Sequence, residues 1–218
     1  MTELRTEEEQ LEAIKSWWKS NGTSLVVMIA IAVSAVYGYR AWQNHQIETS
    51  EKASALYQQL VEKAAPQANS DKEKDAATSK YITKTLKAEF SDSQYAKYAA
   101  LLMAKIDVEA GNLDAAISEL DWLLENEKHP MLISLASIRK AQILTSQQKH
   151  DAALSLLNNV KVAGLQVQAS ELEGDIYLAL EDKDKAREAY KKALANDSSG
   201  TAQAVITLKL NDLTEEES

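Results

Sequence analysis

Apolar residues are concentrated first in one uninterrupted run near the N-terminus. The twenty residues from Ser20 to Tyr39 include no charged side chain, and their centre, Leu25 to Val36, is almost wholly apolar. A helix of this length rises through about 30 Å, the thickness of the hydrocarbon core of a bilayer. Because a helix satisfies its own backbone hydrogen bonds in lipid, the run predicts a transmembrane anchor over residues 20–42, preceded by a tail of residues 1–19.

Three of the four tryptophans, Trp17, Trp18 and Trp42, flank this run, as expected for rings at the two faces of a membrane. A buried core helix would leave these flanks unexplained. A cleaved signal peptide is the second alternative, with residues 32–34 as a weak cleavage site, but it requires a short basic leader. The leader here is nineteen residues long and has five glutamates, which favours an uncleaved anchor.

Basic residues around the run indicate its orientation by a narrow excess. Arg5, Lys15 and Lys19 lie on the N-terminal side, whereas Arg40 and Lys52 lie close on the C-terminal side. Since basic residues accumulate on the cytoplasmic side of a membrane, we predict a cytoplasmic N-terminus. The chain beyond about Arg40 is then on the opposite side.

Small residues recur every four positions along the run, at Ala30, Ser34 and Gly38. They share one face of the helix and predict a surface on which another membrane helix packs closely. The alternative is that small residues are simply common in membrane helices.

Beyond the anchor the pattern of apolar positions is helical, because extended alternating runs of β-branched and aromatic residues are missing. The first helix is predicted to continue through Ala64. A polar loop over Pro66–Asp75 and a second helix near Ala76–Phe90 follow it. Residues 43–90 are therefore assigned as a helical linker with the N-terminal helices.

A pattern repeats within residues 91–218. Segments that begin at Gly111, Gln148 and Glu181 align, at intervals of 37 and 33 residues. Each copy has an Asp, then a small residue, then a larger residue, with a second small residue upstream. In copy order these positions are Asp114, Asp151 and Asp184; Ala116, Ala153 and Ala186; Leu120, Leu157 and Tyr190; and Ala104, Ala141 and Gly174.

This spacing predicts helical hairpins that stack into a solenoid and resembles the tetratricopeptide repeat of 34 residues. The small residues let the two helices of a hairpin touch, and the larger residues fill the space toward the next hairpin. Each Asp is expected to cap the second helix of its hairpin. The predicted fold is all-α, with one N-terminal transmembrane helix followed by a tetratricopeptide-like solenoid that a C-terminal helix over Thr201–Leu210 closes.

Composition narrows the possible functions. The formal charge of −9 argues against nucleic-acid binding, which requires Lys and Arg to neutralise phosphates. The absence of cysteine excludes disulfides and thiolate chemistry. The histidines, His45, His129 and His150, are far apart, and no motif for nucleotides, metals or nucleophilic catalysis is found. We therefore predict no catalytic residue, no metal site and no cofactor.

In a helix-pair solenoid the first helix of each hairpin lines a concave face. Here that face runs from apolar to acidic and predicts a groove for an extended peptide or a partner's helix, although its apolar members are equally compatible with core packing. The pattern leaves open whether the groove is free or covered by the terminal helix. The candidate residues are Tyr98, Leu101, Lys105, Val108, Leu135, Ile138, Gln142, Thr145, Gln168, Glu171, Asp175 and Leu178.

Four segments resemble the YfgM family, the ancillary subunits of the bacterial Sec translocon: Glu7–Gly22, Tyr95–Lys105, the GNLDAA segment from Gly111, and Glu171–Leu180. The resemblance spans essentially the whole chain, and the N-terminal segment is its more specific part. It implies a cytoplasmic tail, one helix in the bacterial inner membrane and a periplasmic repeat domain. It also implies the SecYEG channel and the membrane-anchored periplasmic chaperone PpiD as partners.

The resemblance implies a role in passing translocated, unfolded secretory polypeptides to periplasmic chaperones, and it carries no catalytic residue. We therefore predict a non-enzymatic, membrane-anchored binding module. The alternative is a structural scaffold that holds one folded envelope protein and does not bind unfolded chains.

Overall fold

The computed structural model describes residues 7–65, 72–198 and 200–215. All regular structure within these ranges is helical, which confirms the predicted fold class. Most of the predicted loop over Pro66–Asp75 and the first six residues of the predicted tail lie outside the described residues. The helices are α1 (Glu7–Ala64), α2 (Lys72–Glu89), α3 (Gln94–Glu109), α4 (Leu113–Asn126), α5 (Pro130–Ser146), α6 (His150–Leu157), α7 (Ala163–Ala179), α8 (Lys183–Asn196) and α9 (Gln203–Glu215).

The chain divides into two compact units, Met1–Lys52 and Ala53–Ser218. In the first unit, α1 is the one described helix that is long and apolar enough to cross a membrane. Its large apolar side chains are exposed, as Ile31 at 64% illustrates. The rings of Tyr39 and Trp42 lie 6.0 Å apart at one end of the apolar run. The exposed apolar surface is the kind that a lipid environment would cover.

The second unit is built from helical hairpins. The last turns of α1 pack with α2 and α3 around Ala53, Leu60 and Leu86, all fully buried. The pairs α3–α4, α5–α6 and α7–α8 follow, and α9 packs against α8. Because α1 supplies buried side chains to this unit, its C-terminal part is a structural element of the stack as well as a connection.

The predicted pairs of small residues are buried where the two helices of a hairpin meet. Ala104 and Ala116 share one core cluster, and Ala141 and Ala153 share the next. The larger residue of each copy reaches the first helix of the following hairpin: Leu120 lies in a cluster with α5, Leu157 with α7, and Tyr190 with α9. Each hairpin thus buries its apolar face against the next one.

The hairpin turns share one backbone conformation despite their different residues. Gly111, Gln148 and Glu181 have φ angles of 78°, 60° and 62°, in the left-handed region. At each turn the residue that follows the left-handed one donates its backbone N–H to a carbonyl of the preceding helix. For example, the N–H of Lys149 bonds to the carbonyl of Leu144 at 2.8 Å. This is the Schellman arrangement, which favours glycine.

The predicted Asp caps are wrong by two residues. Asp114, Asp151 and Asp184 lie in the first turn of their helices. Their negative charges interact favourably with the helix dipole there, but their side chains cap no backbone N–H. Among α4, α6 and α8, the side chain at the cap position accepts such a bond only in α8, where Asp182 accepts the N–H of Lys185 at 3.1 Å. The Asp182 carboxylate also accepts a hydrogen bond from the ammonium of Lys185, and these bonds hold the pKa of Asp182 below its usual value.

Gln148→Gly is expected to raise the free energy of unfolding by about 1 kcal/mol, because glycine avoids the strain of a side chain in the left-handed region. Gly111→Ala, at the matching turn of the preceding hairpin, is the control and is expected to lower it by a similar amount. Urea unfolding of the detergent-solubilised protein, followed by circular dichroism, measures both. Equal stability of all three proteins would contradict the interpretation of these turns.

Candidate functional site

A groove of about 590 Å³ opens between α3, α4 and α5 in the second unit. Its floor is apolar: Ala104, Leu120 and Ile143 form the buried base, and Val108 is still 40% exposed. This volume lies within the range of about 300–1,000 Å³ that is typical of ligand pockets. The full lining is Leu101, Ala104, Lys105, Val108, Glu109, Leu113, Leu120, Leu135, Arg139, Gln142, Ile143 and Ser146.

The groove forms where α3 and α5, the first helices of two neighbouring hairpins, lie side by side over α4, the second helix of the earlier hairpin. From α3 the stripe is Leu101, Lys105 and Val108, spaced four and three residues apart on one helical face. From α5 the stripe begins at Leu135 and runs through Arg139 at the next turn. Leu113 and Leu120 of α4 line the groove between these two stripes.

Three charged side chains stand on the rim. Lys105 Nζ lies 3.6 Å from Glu109 Oε1, and both side chains are well exposed. Arg139 Nη1 donates a hydrogen bond to Gln142 Oε1 at 3.0 Å. The rim therefore has one compensated ion pair and one guanidinium that is oriented by a neutral amide.

The structure brings five of the sequence-predicted groove residues together: Leu101, Lys105, Val108, Leu135 and Gln142. Sequence reasoning missed the second-helix floor and the α5 residues Arg139, Ile143 and Ser146. The repeat register selects the same face of every first helix, but a groove between two neighbours is lined by their opposing flanks. On α5, Leu135 and Gln142 therefore line the groove as predicted, whereas Arg139 and Ser146 line it in place of their neighbours Ile138 and Thr145.

The prediction that Ile138 lines the groove is wrong, since Ile138 is 1% exposed and packs in the core cluster of α5, α6 and α7. It cannot contact a partner from there. Thr145 turns its hydroxyl to the carbonyl of Ala141 at 2.8 Å. Tyr98 belongs to an aromatic group at the other end, where its ring lies 6.2 Å from the ring of Tyr57. These three residues lie outside the groove lining.

The predicted acidic part of the face is occupied by the chain's own terminal helix. Lys209 of α9 places its Nζ 2.8 Å from Glu171 and 2.7 Å from Asp175 on α7. Burial alone would lower the pKa of Lys209, but the hydrogen bonds that its ammonium donates to these carboxylates outweigh burial and raise that pKa. The sequence pattern leaves open whether the terminal helix covers this face; in the structure α9 covers it at Glu171 and Asp175, while Gln168 and Leu178 are exposed beside it.

Tyr190 joins α9 to the same network. Its ring is fully buried, and its hydroxyl donates to Asp175 Oδ1 at 2.6 Å. Burial first, and then this hydrogen bond to a carboxylate, raise the pKa of Tyr190 far above its usual value. The residue therefore stays neutral and acts as a structural donor at the end of the stack.

In the first unit, Ala30, Ser34 and Gly38 are all exposed along α1. A methyl group built on Gly38 would meet no atom within 4 Å. The face is thus open to contact by another helix. Within the described ranges no group of three or more His, Cys, Asp or Glu residues is arranged to hold a metal ion.

Comparison with known proteins gives one consistent family. The model of a tetratricopeptide repeat-like domain matches residues 15–215. Proteins called ancillary SecYEG translocon subunits are 31% identical in Haemophilus influenzae, 32% in Neisseria gonorrhoeae and 28% in Escherichia coli. Each match covers 95% of this chain and 96–97% of the relative.

Solved structures support the fold. A MamA RS-1 ArsTM double mutant superposes with a TM-score of 0.50 at 20% identity, covering 78% of this chain and 96% of its own. MamA 41-end from Desulfovibrio magneticus RS-1 also gives 0.50, at 18% identity, with 77% and 96% covered. At these identities the likeness concerns the helical fold alone.

Proposed function

We propose a function from the premise that this chain belongs to the family of ancillary SecYEG translocon subunits, the YfgM family, with its tetratricopeptide repeat-like domain. The protein is a non-enzymatic binding module that associates with the SecYEG translocon in the bacterial inner membrane. Support comes from relatives of that name over nearly the full chain and from the apolar span in α1.

The groove between α3, α4 and α5 is the proposed contact for translocated, unfolded polypeptides. The observation that carries this step is the apolar lining of the groove, in which Val108 is 40% exposed and lies with Leu101 and Leu135 over a buried apolar base. An accessible apolar surface with a polar rim is typical of protein-interaction sites. Tethering to the membrane raises the effective concentration of the groove near emerging chains, so weak affinity suffices.

In the proposed orientation the N-terminus is cytoplasmic and the repeats are periplasmic. Bound polypeptides would then pass to periplasmic chaperones, with the membrane-anchored PpiD as the proposed recipient. The family resemblance and the narrow excess of basic residues before the span support this orientation.

The exposed small face of α1 is the proposed contact with a translocon helix. Ala30→Leu is expected to reduce co-purification of SecYEG at least several-fold, because a larger side chain keeps the helices apart. Ala32→Leu is the matched control, since residue 32 lies about 200° around the helix from residue 30. Quantitative immunoblotting after solubilisation in mild detergent measures the ratio. An equal loss of SecYEG co-purification in both variants would contradict the proposal that this face of α1 makes the contact.

The scaffold alternative rests on the same stacked hairpins and predicts one folded envelope partner in a fixed ratio. Purified full-length protein distinguishes the two functions when it is mixed with a chemically unfolded substrate and aggregation is followed by light scattering. Client binding predicts slower aggregation. A scaffold predicts unchanged aggregation together with stoichiometric recovery of the single partner.

A further inference from the structure

We propose that the groove selects apolar polypeptide segments that carry an acidic side chain, and that Arg139 is the residue that binds this carboxylate. The inference rests on the proposed function, because it names the class of segment that the same groove takes. Its basis is a difference between the two basic side chains that line the groove: Lys105 has a carboxylate partner and Arg139 has a neutral one.

Several lysines of the stacked helices have a carboxylate partner. Lys105 is opposed by Glu109 at 3.6 Å, and Lys209 is held by Glu171 and Asp175. Lys140, the neighbour of Arg139 in sequence, pairs with Asp121 of α4. In these pairs the charge of the lysine is already compensated within the chain.

Arg139 differs, because in the part of the chain that the structure describes no carboxylate lies within ion-pair distance of its guanidinium. Its Nη1 donates to the neutral Oε1 of Gln142, one helical turn further along α5. That bond orients the guanidinium beside the groove and leaves its other N–H groups for a ligand. A planar guanidinium binds a carboxylate through two parallel hydrogen bonds, which a neutral amide cannot match.

The surrounding surface determines what else the segment must contain. Leu135 precedes Arg139 by one turn, and Val108 faces the groove from α3. A segment that places its carboxylate at Arg139 therefore has its neighbouring side chains over apolar surface. Burial against the floor stabilises apolar residues of the segment at those positions, and the guanidinium stabilises one Asp or Glu among them.

The overall charge makes such a preference informative. A chain with a net charge of −9 repels acidic ligands at long range, so preference for an acidic segment has to come from a local contact. At physiological ionic strength the repulsion is screened beyond about 8 Å, whereas a direct contact is screened less. The preference is therefore expected to survive physiological salt.

Fluorescence anisotropy with the full-length protein in detergent tests the inference. Three labelled peptides share the same apolar residues and differ at one central position, which is Glu, Gln or Lys. The Glu peptide is expected to bind roughly threefold to fivefold more tightly than the Gln peptide, and the Lys peptide the least tightly. Arg139→Gln is expected to abolish the difference in affinity between the Glu and Gln peptides.

Arg187→Gln is the matched control, because it makes the same substitution on α8, outside the groove, and is expected to keep the preference. Circular dichroism verifies that each variant is folded. Equal affinity of the Glu and Gln peptides for the unsubstituted protein overturns the selectivity but leaves the groove as a binding site. Preservation of the preference in Arg139→Gln overturns the assignment to this residue. If no peptide binds, the proposed function itself fails.

Discussion

Gly174→Ala is expected to lower the free energy of unfolding by ~3 kcal/mol, because the added methyl group collides with a buried ring. A Cβ at residue 174 would lie 2.4 Å from Cε1 of Tyr190 and 2.5 Å from its Cδ1. The ring cannot swing away, because it is fully buried and its hydroxyl is bonded to Asp175. Overpacking of this kind typically costs about 1–3 kcal/mol, and the fixed ring places this site at the upper end.

The same substitution at Gly164 is the control within the same helix. No atom lies within 4 Å of a Cβ built there, so Gly164→Ala is expected to be neutral or stabilising by up to about 1 kcal/mol. The earlier hairpins pair Ala with Leu where this one pairs Gly174 with Tyr190. Adding Tyr190→Leu to Gly174→Ala should therefore give a coupling of at least about 1 kcal/mol in favour of the double variant. Additive losses would contradict the proposed steric cause.

Val108→Asp abolishes most client binding while the fold is retained, with affinity expected to fall roughly 10- to 100-fold. Val108 is 40% exposed on the groove surface, so a polar residue there is tolerated in the free protein. In the complex the same carboxylate would be covered by apolar side chains and lose its hydration. Protection of an unfolded substrate from aggregation, measured by light scattering, reports the loss.

Val205→Asp provides the matched comparison. Val205 is 53% exposed on α9, outside the groove, and its substitution adds the same charge to the repeat unit. It is expected to leave protection unchanged. Similar losses in both variants would mean that net charge, and not the groove, governs client binding.

Much of the fold is predictable because it depends on local periodicity. The uncharged run and its flanking tryptophans indicate the span, and α1 ends at Ala64, where the loss of the apolar pattern places its end. The start of α2 is less visible: it begins at Lys72 and not near Ala76, since its first turn is polar and lacks an apolar stripe. The spacing of small residues predicts the hairpin contacts, because close helix approach requires them.

The groove is less predictable because it depends on relations between helices. Ile138 occupies the repeat position of an exposed face, but α6 and α7 cover it. Arg139 gave no signal in the repeat alignment and becomes notable only once its neighbours are shown to lack a carboxylate for it. Lys209 lies 34 residues from Asp175, so the closure of the acidic surface by α9 follows from tertiary packing.

Site-specific photo-crosslinking tests the central claim most directly. A photo-reactive residue replaces Gln142 on the groove rim or Leu208 on the exposed side of α9, in the full-length protein within its membrane. A secretory polypeptide is then arrested in the SecYEG channel. The account predicts an adduct between the arrested chain and position 142, with little or none at position 208. Adducts that form at position 208 but not at position 142 would contradict it.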